Sequence, residues 1–84
     1  MSEQPLTAKR VIYSGHVQGV GFRWTTRGVA KGFTVTGFVR NLRDGTVELL
    51  AQGEAAEVDR FLEAVADRLQ ANISEADVTS VDGE

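Results

Sequence analysis

The stretch Gly15-His16-Val17-Gln18-Gly19-Val20-Gly21-Phe22-Arg23 follows a short apolar run and ends in an arginine where a helix is expected to begin. Glycines at this spacing allow successive backbone N–H groups to turn toward one point, because they carry no Cβ that would clash. The start of a helix adds about half a positive charge, and an arginine side chain matches two phosphate oxygens at once. The stretch therefore predicts a phosphate cradle at a connection between a strand and a helix.

The residues around this loop predict an alternation of strands and helices. Residues 9–17 form a strand that leads into the loop, and a helix begins at Phe22 and ends near Gly32. Strands over 34–40 and 46–51 flank Asp44-Gly45, a strong hairpin signal, so they should pair antiparallel. An amphipathic helix over 54–69 and a strand over 76–81 complete the order β-α-β-β-α-β. This is a ferredoxin-like two-layer sandwich of class α+β, with two helices on one face of an antiparallel sheet.

Length and composition limit the class of protein. Eighty-four residues, 42% of them hydrophobic, are enough for one domain, residues 1–84, and too few for two. The longest apolar stretches are too short to span a membrane, and Met1 to Thr7 does not resemble a signal peptide. We therefore expect a cytoplasmic protein with no membrane partner.

The charge of the chain is unevenly distributed. The net charge is −3, yet every basic residue except Arg60 and Arg68 lies between Lys9 and Arg43, a stretch without acids. The negative net charge argues weakly against a nucleic-acid partner. The basic segment around the glycine loop, in contrast, would attract a small anion. An equally good interpretation is that these charges only solvate the surface.

Several kinds of phosphate chemistry are excluded by missing residues. The chain has no Cys, one His, no Walker A motif and no spaced set of metal ligands, and Trp24 stands where a dinucleotide fingerprint needs a glycine. We therefore expect neither a cofactor nor a metal. Arginine and backbone amides stabilise charge but cannot strongly protonate a leaving group. A carboxylate leaves without a proton, since its acid has a pKa of about 4, so acyl phosphates fit such a site.

Asn41 is the candidate for positioning water, because its side chain offers both a donor and an acceptor at the end of the second strand. It can approach the loop only if the strand ends converge. Taken alone, an Asn before Asp44-Gly45 is more often a turn residue. His16 is a weaker candidate for a general base, and Trp24, Phe33 and Phe38 are expected to pack in the core or at the rim.

The motifs at residues 15–23 and 37–48 together resemble those of the acylphosphatase family, and the similarity extends from about Lys9 to Val81. The resemblance implies hydrolysis of the carboxyl–phosphate bond of a small acyl phosphate, without metal or cofactor, by a monomer that also binds phosphate or sulfate. By the same resemblance Arg23 holds the phosphate and Asn41 orients the attacking water. The cradle amides would be those of Gln18, Gly19, Val20, Gly21 and Phe22, and the substrate itself would help to accept the proton from water.

One departure and one alternative accompany this resemblance. The family usually continues into a final short strand that this chain lacks, so we expect an unpaired sheet edge and a frayed C-terminus. The alternative is a non-catalytic ferredoxin-like binding or regulatory module for RNA or carbamoyl phosphate, as found fused to larger maturation enzymes. Lys31-Gly32-Phe33 loosely echoes an RNA-binding motif, but it stands at the end of a helix rather than in a strand.

Overall fold

The computed structural model describes residues 6–81, and the six predicted elements are present in the predicted order. Expectations for the segment before residue 6 and for the chain from residue 82 onward concern residues outside this range. The elements are β1 (Leu6–Gly15), α1 (Phe22–Ala30), β2 (Thr36–Asn41), β3 (Val47–Glu54), α2 (Ala55–Leu69) and β4 (Ile73–Val81).

The four strands form one antiparallel sheet in the order β2-β3-β1-β4. β1 and β3 are central, β2 pairs with β3 across the predicted hairpin, and β4 pairs with β1. The predicted ferredoxin-like sandwich is thereby confirmed. β1 and β2 both pair antiparallel with β3, so they run in the same direction. The loop after β1 and the last residue of β2 therefore lie at the same end of the sheet.

The hydrophobic core lies between the sheet and the helices. α2 packs over β1 and β3, and α1 packs against β2 and α2. The pairing of Val11 and Val39 with Leu49 shows that these three side chains belong to the same sheet face. The buried hydrophobic residues are Val11, Tyr13, Val17, Phe22, Val39, Val47, Leu49, Ala51, Val58, Phe61, Val65 and Leu69.

The opposite sheet face carries an ion-pair network around Glu48. This carboxylate is 6% exposed and accepts hydrogen bonds from Arg40 Nε at 2.6 Å and Arg10 Nε at 2.8 Å. The hydrogen bond from Arg40, supported by Arg10, lowers the pKa of Glu48 against the opposing effect of burial. Arg40 also lies over the ring of Phe38, 5.3 Å from its centroid, so the exposed face is ordered by charged side chains.

Several element boundaries differ from the predictions. β1 was expected over 9–17 but ends at Gly15, where a register irregularity follows Ser14, so Val17 belongs to the loop. β4 was expected to begin at residue 76 but begins at Ile73, because Ile73 pairs with Gly15. β2 starts two residues later than expected and includes Asn41, which pairs with Val47. The smaller shifts are at the ends of α1, β3 and α2.

Candidate functional site

Two buried side chains anchor the loop of residues 16–21, between β1 and α1, to the hydrophobic core. Val17 is 1% exposed and Phe22 is 2% exposed, and the ring of Phe22 packs at 5.1 Å from that of Tyr13 on β1. Burial raises the pKa of Tyr13 to about 12, so its hydroxyl stays protonated across the ordinary pH range. The loop is therefore held to the sheet while its remaining backbone lies at the surface.

The backbone of this loop has the conformation of an anion-binding nest. Gly19 has φ 78° and Gly21 has φ 77°, both left-handed, whereas Val20 between them has a negative φ. Alternation of this kind turns successive N–H groups into one concavity. An added Cβ at either glycine would meet no atom within 4 Å, so glycine is required there by the backbone angle rather than by space.

The N–H groups of residues 18–22, in the loop and at the start of α1, are free to bind a ligand. Within the described part of the chain, the amides of residues 18–22 donate to no other residue. Gly21 occupies the N-cap of α1 without a side-chain cap, and the first turn contains no acid. The positive end of the helix dipole and these unpaired N–H donors therefore lie together, and an anion bound there would accept hydrogen bonds from them.

Arg23 and Asn41 line the same concavity, which has a volume of about 210 Å³. Arg23 is exposed in the first turn of α1, and Asn41 is exposed at the last position of β2. The convergence on which the interpretation of Asn41 depends is therefore present, although the roles of both residues remain predictions. The lining residues are Val17, Gly19, Gly21, Phe22, Arg23, Trp24, Arg27 and Asn41.

Gln18 connects the loop to the turn that follows Asn41. Its side-chain Nε2 donates to the carbonyl of Leu42 at 2.7 Å and to that of Thr46 at 2.8 Å. The turn is closed by the N–H of Leu42 donating to the Thr46 carbonyl, and Asp44 Oδ1 accepts from the Thr46 hydroxyl at 2.6 Å. These bonds from Thr46 lower the pKa of Asp44. Sequence reasoning considered only the backbone amide of Gln18 and missed this bridge.

The remaining residues named from the sequence lie in separate places. Of the five predicted cradle residues, Gln18 and Val20 do not line the concavity. His16 does not line it either, and its N–H donates to the carbonyl of Asn72. Trp24 is 77% exposed and forms part of the rim. Arg27 lines the concavity although it was not singled out; its position one helical turn after Arg23 was the available signal.

Residues 6–81 contain neither a cluster of metal ligands nor a membrane-spanning helix. No group of three or more His, Cys, Asp or Glu side chains lies close enough together to hold a metal ion. No helix in this range is long and apolar enough to cross a membrane.

Comparison with known proteins identifies a family. The acylphosphatase family model matches residues 9–84. An acylphosphatase from Acaryochloris marina is 48% identical over 54 residues, which are 64% of this chain and 58% of that protein. An acylphosphatase from Archaeoglobus fulgidus is 48% identical over 60 residues, which are 71% of this chain and 67% of that protein. The aligned segments therefore span about three fifths to two thirds of these relatives.

Solved structures agree with this result. The acylphosphatase from Coxiella burnetii superposes with a TM-score of 0.83 at 34% identity, covering 100% of this chain and 92% of that one. The acylphosphatase from Bacillus subtilis gives 0.81 at 33% identity, with coverages of 95% and 89%. Full-length HypF, in a phosphate- and nucleotide-bound form, gives 0.77 at 25% identity, covering 99% of this chain but 11% of that one. The match to the family model over most of the chain, supported by these relatives, shows that the chain belongs to the acylphosphatase family.

Proposed function

We propose that this chain is a monomeric, single-domain acylphosphatase that hydrolyses small acyl phosphates to a carboxylate and inorganic phosphate. The observation that carries the proposal is the shared concavity. It combines a glycine nest, an uncapped helix N-terminus, two arginines and one asparagine within about 210 Å³. Free inorganic phosphate or sulfate should bind at the same place, because the donors recognise the phosphoryl group.

In the proposed reaction the phosphoryl oxygens bind the amides of residues 18–22 and the guanidinium of Arg23. These donors are fixed before substrate arrives, so they stabilise the charge that develops on the oxygens in the transition state. Asn41 binds a water molecule, and the side-chain oxygen accepts a hydrogen bond from it. Its position at the end of a paired strand, rather than in a mobile loop, supports this role.

The chemistry requires little of the protein beyond this placement. The water oxygen forms a bond to phosphorus while the bond from phosphorus to the acyl oxygen breaks. The carboxylate leaves unprotonated, because its acid has a pKa of about 4. The proton from water passes to a phosphoryl oxygen of the substrate, so no side chain has to act as a general base.

The alternative function is that of a binding or regulatory module. The similarity to a small part of full-length HypF, which was crystallised with phosphate and nucleotide, keeps this alternative open. A module of that kind would bind an anion in the same concavity without hydrolysing an acyl phosphate. Binding alone therefore does not separate the two functions, and turnover must be measured.

The direct experiment follows benzoyl phosphate hydrolysis by ultraviolet absorbance in the presence of a chelator. The variants are Arg23→Ala and, as a matched control, Arg68→Ala in the last turn of α2, away from the concavity. We expect turnover that survives chelation, a loss of about 10² to 10³ in Arg23→Ala, and unchanged turnover in the control.

Three other results would each contradict one part of the proposal. A folded chain that binds inorganic phosphate but shows no turnover would support the binding module. Turnover abolished by the chelator would contradict the metal-independent reaction. Equal activity in Arg23→Ala and Arg68→Ala would remove Arg23 from the site.

A further inference from the structure

A second cavity, of about 430 Å³, lies between α1 and the β2–β3 hairpin, and we call it the acyl groove. Its walls come from both layers of the fold and are mainly apolar. They include Ala30 of α1, Gly37 and Val39 of β2, Leu49 of β3 and Phe61 of α2.

The acyl groove is adjacent to the phosphate concavity because the two share a wall. Arg27 lines both cavities, and it lies on α1 one turn after Arg23. A molecule whose phosphoryl group occupies the nest therefore has a mainly apolar space next to it, bordered by the same Arg27.

The acyl groove is open because small residues occupy the positions where α1 faces β2. Gly37 has φ 144°, and a Cβ built there would lie 1.8 Å from the carbonyl oxygen of Leu50. This contact is far too short for any side chain, so β2 can place no side chain at position 37 beside the acyl groove. Ala30, on the helix side, contributes only a methyl group.

The acyl groove also contains a buried polar group without a partner. Thr26 lines it and is 1% exposed, and its hydroxyl oxygen has no hydrogen-bond partner among the protein atoms of the described residues. A native structure seldom leaves such a group unpaired, and an ordered water molecule at the wall of the acyl groove would satisfy this hydroxyl.

From these observations we infer that the acyl groove receives the acyl group of the substrate, and that the preferred substrates are acyl phosphates with an apolar chain of several carbons or an aromatic ring. The inference rests on the proposed function. The volume is adequate, because a cavity of about 150 Å³ already accommodates a benzene ring. Apolar walls favour a longer acyl chain over acetyl, since each buried methylene contributes to binding.

The first experiment compares kcat/KM for acetyl, butanoyl and hexanoyl phosphate. We expect an increase of about two- to fourfold for each methylene that enters the acyl groove, the range set by the free energy of burying a methylene group. The variant Ala30→Met should fill the space and abolish most of this increase. The matched control is Ala66→Met, which adds the same side chain at an exposed position of α2.

A second measurement keeps the inference testable if Ala30→Met folds poorly or if the chain does not turn over substrate. Inhibition or binding constants of methylphosphonate and hexylphosphonate are compared on the unmodified chain, where the nest holds the phosphonate group. Tighter binding of hexylphosphonate by about tenfold or more supports the acyl groove whether or not hydrolysis occurs. Equal constants for the two phosphonates, or equal chain-length dependence in Ala30→Met and Ala66→Met, would overturn the inference. Phosphonate binding without turnover would overturn the proposed function alone.

Discussion

Replacing Gln18 by Met should lower both the free energy of unfolding and kcat, because the Gln18 side chain joins the phosphate loop to the strand end that carries Asn41. Met preserves the length of the side chain but removes both hydrogen bonds from Nε2, to Leu42 at 2.7 Å and to Thr46 at 2.8 Å. Nothing else at the surface of the loop is changed by this substitution.

The size of the stability effect follows from these bonds. Two neutral hydrogen bonds at roughly 0.5–1.5 kcal/mol each give a range of about 1–3 kcal/mol. Neither carbonyl loses its last donor, since the Leu42 carbonyl still accepts from the N–H of Gly45 and the Thr46 carbonyl from the N–H of Leu42. The loss should therefore be in the lower part of the range, about 1–2 kcal/mol, or a fall in Tm of about 4–16 °C.

The catalytic effect has a different origin. Without the bridge, Arg23 and Asn41 are held by two segments that no longer share a contact at this point, and misplacement by about 1 Å can cost up to about 10² in rate. We expect kcat for benzoyl phosphate to fall by about tenfold or more, with a smaller change in the affinity for inorganic phosphate.

Urea unfolding and steady-state kinetics test both effects, with Gln52→Met as the matched control. Gln52 is exposed on β3 and does not line the concavity. If Gln18→Met and Gln52→Met have the same urea midpoint and the same kcat, the bridge does not position the site and the reasoning is refuted.

Three further predictions concern stability. Gly37→Ala should lower the free energy of unfolding by about 3 kcal/mol or more in a urea titration, because its Cβ would lie 1.8 Å from the Leu50 carbonyl oxygen; a loss under about 1 kcal/mol would contradict this close approach. The pKa of Glu48 is lowered in the folded state, so its contribution to stability is present above the ordinary carboxyl pKa of about 4.3 and is lost as pH falls through the folded-state value. Urea midpoints measured from pH 6 down to pH 3 should decline less steeply in Glu48→Gln, and an unchanged slope would contradict the linkage. Thr26→Val removes a buried hydroxyl without a partner, so its free energy of unfolding should be unchanged or higher by up to about 1 kcal/mol; a clear loss would mean that the hydroxyl has a stabilising partner.

The fold was largely predictable from the sequence because its signals are local. The Asp44-Gly45 turn predicts the hairpin of β2 and β3, and the apolar spacing of residues 54–69 predicts α2 within one residue. The strand ends were less accurate, since they depend on partners distant in the chain. Gly15 ends β1 where its pairing with β4 becomes irregular, and this irregularity depends on Ile73, which lies far along the chain.

The candidate site was predictable in its backbone and less so in its side chains. The glycine spacing predicts the left-handed positions at Gly19 and Gly21, because few other residues adopt them. The bridge from Gln18 to Leu42 and Thr46 spans more than twenty residues of chain, so the sequence alone did not reveal it. The acyl groove was missed for the same reason, since it depends on how closely α1 packs against β2. Arg27 was missed although its position one helical turn after Arg23 was a local signal.

The central claim is that one concavity binds phosphate through the nest and Arg23 while Asn41 positions the attacking water. The most direct test measures kcat for benzoyl phosphate and the inhibition constant of inorganic phosphate for the unmodified chain and for Asn41→Ala. The account predicts that kcat falls by about 10² or more while the inhibition constant changes by less than about threefold. Weakened phosphate binding with intact turnover would contradict it, because Asn41 would then hold the phosphate and not the water.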